Sequence, residues 1–544
     1  MLGWLIAGLI VVSWFALLAT RALVPSDEGR YAEIAREMHA SGDWVTIRYN
    51  GLKYFEKPPL HLWVSALAFS VFGVGEWQAR LCGALSGLSG IVLTMLATRC
   101  WFGRRVAVMA GLALLAMPTW TFASHFNSLD ITVAGALTAV LMSLLLAQHP
   151  DASPGERRNW MWVCWVAMAL ALLGKGLIGV ALPGLVGVIY LLVSRQWWLL
   201  RRLHIVSGLV LMLIVSVPWF VLISARNPEF AEFFFIHEHW TRFTSTEHHR
   251  AGPLWYFVPQ LLAGMLPWLG LFVAMTRATR SESRAQFRPL LMLTCWTLSI
   301  FVFFSLSGSK LPGYIVPVFP AIAGLVAVAL ERMSQPGMKR QLSWIVGSSV
   351  VAIAISIGFA IEPRADYGQM FPWVCTALVV MAAGAWLARR LELRGDRLAN
   401  IAVLSIATYV AVNVAMLGYV PIARARANVD LVEPVQQVLT AQTPIYMVRL
   451  LDHTLPFYLG RTMTPVEMPD ELEFGTQQEP DKWLPTLTSF IERWRDGSQA
   501  IAVMKPDVFD SLLARGVPMR VVARSADRVV VSNFEPPVPN GSAR

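Results

Sequence analysis

The sequence predicts an α-helical polytopic membrane protein that ends in a soluble α/β domain. Three observations predict it. Hydrophobic residues make up 56% of the 544-residue chain and charged residues only 15%, too little polar material to cover a water-soluble protein of this size. Apolar runs such as Leu2 to Thr20, Ile205 to Ile223 and Ile401 to Val420 approach or reach the ~20 residues that a helix needs to span the hydrocarbon core. From Pro421 onward the composition turns ordinary, which divides the chain into a membrane domain, 1–420, and a second domain, 421–544.

The first apolar run has no basic segment ahead of it and no clean small-residue cleavage site, so it reads as a retained anchor. A net charge of +10 would suggest nucleic acid in a soluble chain, but here the basic residues lie between apolar runs and act as topology signals, with no nucleic-acid partner implied. They also decide the one ambiguous run. Pro58 to Val74 is short, begins Pro-Pro and carries His61. If it lies along the interface without crossing, the cluster Arg99, Arg104, Arg105 falls inside, and so do the later clusters from Arg157 to Arg397. That arrangement gives roughly thirteen crossings, a cytoplasmic N-terminus and a C-terminal domain outside. The outer face then receives the loop from Arg21 to Gln78, the short turns around Asp130, Lys175 and Lys310, and the loop from Arg226 to Pro253. All five cysteines sit in or beside spans, so no disulfide framework is implied.

In the C-terminal domain, short strand candidates at Ile445 to Val448, Ala500 to Met504, Arg520 to Val522 and Val529 to Val531 alternate with helical patterns in "LPTLTSFIERW" and "PDVFDSLLARG". This is an α/β pattern. No glycine-rich turn follows a strand, so no dinucleotide site is indicated. The terminal "EPPVPNGSAR" has a composition that favours disorder.

The first outer loop holds the densest charge. Tyr31, Ile34, Ala35 and Met38 repeat at helical spacing, with Arg30, Glu33, Arg36 and Glu37 on the other face, which predicts an interfacial helix. Ser26 can cap its start, and Asp27 with Glu28 falls in the first turn, where the helix dipole favours acids. On these grounds alone Asp27 could be purely structural. It is followed by "GDWVTIRYNGLKYFEKPPLHLW", which sets Arg48, Lys53, Glu56, Lys57 and His61 among aromatics at the membrane edge. Charge kept where burial is expensive suggests a charged substrate.

"PSDEGRYAEIAREMHASGDW" followed by "YFEKPPLHLW" resembles the first external loop of the bacterial membrane glycosyltransferases related to protein O-mannosyltransferases. The likeness is greatest to the 4-amino-4-deoxy-L-arabinose transferases of lipid A. The resemblance implies a GT-C fold with interfacial helices in the first periplasmic loop, in the bacterial inner membrane. It further implies an undecaprenyl-phosphate-linked sugar donor, a lipid A acceptor and catalytic acidic positions at Asp27 and Asp130.

The residues support that donor class on their own chemistry. No Asp-x-Asp pair occurs, so the usual means of holding a metal on a nucleotide sugar is missing, and no nucleotide cofactor is expected. A lipid-phosphate leaving group needs cations. Lys57, Lys175, Arg242 and Lys310 lie on the outer side, with Arg30 in the first-loop helix and Tyr54 and Tyr314 nearby as hydrogen-bond donors. The alternative for each cation is a headgroup anchor. Two other classes fit less well: a protein O-mannosyltransferase shares the Asp-Glu pair, and a transporter would want a repeat between halves. Finally, His237 and His239 form a His-x-His pair that on an extended segment points both rings one way, and with Glu56 they make a candidate zinc site, for which His248 and His249 could equally serve; the alternative is a polar loop at the membrane surface.

Overall fold

A computed structural model of the chain describes residues 2–241, 252–280, 282, 286–360, 365–468 and 470–535. The chain forms two compact units. One comprises Met1–Leu17, Lys57–His61 and Arg80–Tyr419; the other comprises Leu18–Glu56, Leu62–Ala79 and Val420–Arg544. Segments of the first polar loop therefore belong to the same compact unit as the C-terminal domain.

The first unit is a helical membrane body. Among the described residues, seven helices are long and apolar enough to cross a membrane, or eight if the bent pair Phe257–Gly264 and Leu269–Arg280 is one span. Shorter apolar helices add Gly3–Ala19 and Ile178–Ser194. The 40-residue stretch Glu76–Leu115 is broken at Gly103, which takes φ 85°, a left-handed conformation that glycine enters without the penalty of a Cβ. Proline at the first turn starts several of these helices, including Pro118–Ser124, Pro154–Lys175 and Pro289–Leu306, where its missing N–H costs nothing.

The second unit contains a five-stranded mixed sheet. With β1 Arg48–Tyr49 and β2 Leu52–Lys53 forming a separate hairpin, the sheet strands are β3 Ile445–Val448, β4 Thr464–Val466, β5 Ile501–Met504, β6 Arg520–Arg524 and β7 Val529–Ser532, in the order β4-β3-β5-β7-β6. β3 pairs in parallel with β4 and β5, and β7 pairs antiparallel with β5 and β6. The three inner strands are buried along their whole length, and the helices Leu487–Arg495 and Pro506–Ala514 cover them through Phe490, Trp494, Phe509 and Leu512. The edge strand β4 was not expected from its sequence. It contains Pro465, which an edge position tolerates because one side needs no ladder donor. From residue 536 onward, the terminal stretch expected to be disordered lies outside the described residues.

The first-loop helix runs over Asp27–Ser41 and ends at Gly42, whose φ of 69° supplies the left-handed cap. Ser26 makes no side-chain capping bond, and its own backbone is already helical, unlike the extended backbone of a capping residue. The charged face of this helix is as buried as the apolar one. Glu33 has no exposed side-chain surface and is held by Arg36 through two bonds of 2.6 Å, while Arg21 and Glu28 form a second buried pair.

Candidate active site

In the membrane unit, the site begins with three turns that the sequence placed far apart. Ser128 caps the helix Leu129–Ala147 by accepting the backbone N–H of Asp130. Lys175 is the last residue of the helix Pro154–Lys175, and Tyr314 lies in the 3-10 turn Pro312–Val318. These elements converge: the Lys175 ammonium donates to the Asp130 carboxylate and stands 4.7 Å from the centre of the Tyr314 ring, within range of a cation–π contact. The approach is close enough that a Cβ at Gly313 would overlap an Asp130 carboxylate oxygen. Glycine there is a packing requirement. Residues on either side of Asp130 in the chain are held by His61, which lies 2.7 Å from Asn127 Oδ1 and 2.8 Å from Thr132 Oγ1, with no exposed surface. The sequence set His61 among the groups facing a charged substrate. Both of its ring nitrogens are instead engaged in the interior, and the residue braces the turn that carries Asp130.

Other predicted cations have defined surroundings. Lys310 is buried and donates to the carbonyl oxygens of Ser305 (2.8 Å) and Ser307 (2.7 Å), closing the end of the helix Pro289–Leu306. Lys57 is half-buried. Arg242 lies outside the described residues.

In the other unit, Asp27 stands at the first position of its helix with its side chain partly exposed. Arg30 lies one turn on, 3.7 Å from Asp27 and 2.7 Å from Glu471. The buried Nε of Arg30 has no hydrogen-bond partner among the described residues. Tyr54 is buried and donates to Glu56 at 3.2 Å; burial raises its hydroxyl pKa well above the ordinary value, reinforced by the Glu56 charge. Glu37 accepts the backbone N–H groups of Asn50 (2.6 Å) and Gly51 (2.8 Å), so the first-loop helix also fixes the Asn-Gly turn of the β1–β2 hairpin. Burial pushes the Glu33 carboxyl up to about 8, with Arg36 pulling the other way. Glu471 was not anticipated: a single acid in a polar stretch has no sequence pattern that marks it as a partner for Arg30.

The zinc site expected at Glu56, His237 and His239 falls largely outside the described residues. The backbone over Glu232–Thr241 is wound as a π-helix. The two histidine side chains lie outside the described residues. Among the described residues no group of three or more His, Cys, Asp and Glu side chains could hold a metal ion.

The fold has a known counterpart. An archaeal oligosaccharyltransferase from Archaeoglobus fulgidus superposes with a TM-score of 0.50 at 12% identity, over 91% of this chain and 69% of that one, a likeness of fold alone. ArnT from Cupriavidus metallidurans matches over 98% of both chains at 49% identity, with a TM-score of 0.93 in the apo state and 0.94 bound to undecaprenyl phosphate. The architecture is that of a GT-C membrane glycosyltransferase. Residues 431–533 match the aminoarabinose transferase C-terminal domain and residues 56–221 the dolichyl-phosphate-mannose-protein mannosyltransferase family. An Aeromonas hydrophila undecaprenyl phosphate-α-4-amino-4-deoxy-L-arabinose arabinosyl transferase is 31% identical over 376 residues, 68% of each chain. The chain belongs to this arabinosyl transferase family.

Proposed function

We propose that this protein transfers 4-amino-4-deoxy-L-arabinose from undecaprenyl phosphate to a phosphate of lipid A in the bacterial inner membrane. The observation that carries the reading is the likeness along nearly the whole chain to an ArnT whose structure holds undecaprenyl phosphate. In the proposed orientation the N-terminus is cytoplasmic, about thirteen segments cross the membrane, and the active site and C-terminal domain are periplasmic.

The reaction is a single displacement with inversion. A lipid A phosphate oxygen attacks the anomeric carbon, and the bond from that carbon to the undecaprenyl phosphate oxygen breaks with its electron pair. An anionic nucleophile needs no strong general base, so Asp27 and Asp130 act by orienting the sugar and balancing charge. Lys57, Lys175, Arg242, Arg30 and Lys310 are the proposed cations for the leaving phosphate, with hydrogen bonds from Tyr54 and Tyr314. Donors placed in advance where charge develops are the largest single contribution to rate in many enzymes. For Lys175 this requires exchanging Asp130 for the phosphate, or bridging both. For Lys310 it requires leaving two backbone carbonyls, so Lys310→Ala should affect turnover less than Lys175→Ala.

The test is mass spectrometry of lipid A from a strain lacking this chain and from the same strain complemented with it. Restored addition of aminoarabinose supports the reading; unmodified lipid A alongside altered protein glycosylation would favour an O-mannosyltransferase. Zinc bound by Glu56, His237 and His239 is a separate proposal, tested by elemental analysis of wild type and His237→Ala, and no step above passes through it.

A further inference from the structure

We infer that a cleft at the far end of the first-loop helix holds a phosphate monoester of the glycolipid acceptor, distinct from the phosphate that receives the sugar. The inference rests on the proposed transfer to lipid A. The cleft has a volume of 580 Å³ and lies wholly within the second unit, lined by Arg36, His39, Val74, Glu76, Phe457 and Tyr458 among others.

The polar groups on its wall select a particular chemistry. Arg36 lines the cleft and uses Nε and Nη2 on Glu33, so Nη1 takes no part in that pair. Ser70 donates its hydroxyl proton to the carbonyl of Ala66 and lies 2.9 Å from Nδ1 of His39. Ser70 must then accept from Nδ1–H of His39, so that whenever the ring carries a single proton its Nε2 is the acceptor. An arginine donor beside an imidazole acceptor matches a phosphate monoester monoanion, which offers both P–O⁻ and P–OH. A phosphodiester, as in ordinary phospholipid headgroups, has no P–OH to give. Glu76 accepts the Tyr458 hydroxyl at 2.7 Å; its carboxylate opposes a second phosphate at that end and suits a sugar hydroxyl or amide N–H.

The apolar surroundings indicate a lipid-borne ligand. Leu67, Val71, Phe72 and Val74 are all exposed on and just after the helix Leu60–Phe72, next to the cleft mouth. Phe69 packs on Phe457, ring centres 6.1 Å apart, and anchors this strip to the cleft wall. An exposed apolar strip beside a polar cleft with an arginine on its wall fits an amphiphile with acyl chains and a phosphorylated headgroup.

Distance separates this phosphate from the reacting one. Arg36 and His39 follow Asp27 by nine and twelve residues on one helix, which at 1.5 Å per residue is about 14 to 18 Å. A phosphate bound in the cleft is therefore out of reach of Asp27. The acceptor that satisfies both places carries two phosphates, one reacting and one held.

The test uses the purified full chain with undecaprenyl-phosphate-linked aminoarabinose and two acceptors, bis-phosphorylated and mono-phosphorylated lipid A. Wild type should show a KM about tenfold lower for the bis-phosphorylated lipid, roughly the discrimination of one charged contact, with similar kcat. His39→Phe, and the double variant Glu33→Gln/Arg36→Gln that removes Arg36 together with the carboxylate it is bonded to, should abolish the difference while kcat persists. Equal KM values in wild type, or a preference unchanged in both variants, would overturn the inference. If wild type modifies neither lipid, the functional reading fails, and native mass spectrometry then tests the cleft alone. Binding of bis-phosphorylated lipid A that exceeds binding of phosphatidylglycerol and is lost in His39→Phe would uphold it; equal binding of both lipids would refute it.

Discussion

In the membrane unit the Asp130–Lys175 pair stands among helices that are apolar over most of their length, whereas the other unit packs Arg21–Glu28, Arg36–Glu33, Arg30–Glu471 and Arg528–Asp452 into a smaller volume. The difference teaches how to weigh buried charge. Where ion pairs are dense, a pair is architecture: each charge must be compensated once it is buried, and the pair as a whole adds little stability. Where charge is scarce and every helix could have been closed with leucine, an acid held by a lysine over a tyrosine ring points to chemistry.

The largest expected effects break this contrast on the membrane side and at the first-loop acid. Asp130→Asn and Asp27→Asn should each lower transfer by about 10²- to 10³-fold, the scale on which removing a preorganised charge acts. Asp27→Asn should retain thermal stability to within the ~0.5–2 kcal/mol of a first-turn contribution. A double variant Asp130→Asn/Lys175→Met should recover stability without recovering transfer. Near-normal turnover in any of the three would reduce that acid to a structural role.

Arg21→Met should do the opposite. It strands the fully buried Glu28, at a cost of about 3–5 kcal/mol, read as a lower unfolding midpoint in detergent. Arg21→Met/Glu28→Leu should restore both midpoint and transfer; restored stability with lost transfer would make the pair part of the site.

A smaller effect concerns His453. Burial, then the Arg30 charge, lowers its pKa from 6.5 to about 3, against the pull of Asp452. Its Nδ1 lies 2.8 Å from the Tyr49 hydroxyl. Between pH 6.5 and 3 the unfolded chain binds a proton that the folded chain refuses, so stability falls as pH drops through that window and is unaffected above it. His453→Gln should give a shallower decline over the same range, and an unchanged slope would show that the imidazole is protonated when folded. Smallest of all, Arg424→Ala removes an exposed pair with Asp430 and should move stability by no more than about 1 kcal/mol.

Hydrophobic run length made the membrane body legible, and period-2 and period-3.6 patterns made most of the C-terminal α/β domain so. The turn positions of Lys175 and Asp130, each at a helix end, were also legible. Their pairing was not legible, because the convergence of three turns depends on helix packing that no local pattern records. The same holds for Lys310, whose carbonyl partners are backbone atoms, and for His61, whose polar neighbours Asn127 and Thr132 are more than sixty residues away. The β1–β2 hairpin could have been found, since Asn50-Gly51 is a strong two-residue turn signal and both residues take positive φ. β4 could not, since a three-residue strand containing proline reads as loop.

The central claim is tested most directly by supplying the purified chain with undecaprenyl-phosphate-linked aminoarabinose as the sole sugar source and lipid A as acceptor, then weighing both lipids by mass spectrometry. The account predicts lipid A carrying aminoarabinose on phosphate and an equal amount of released undecaprenyl phosphate, both lost in Asp27→Asn. Release of undecaprenyl phosphate without modified lipid A, or sugar recovered on serine or threonine of an added polypeptide, would contradict it.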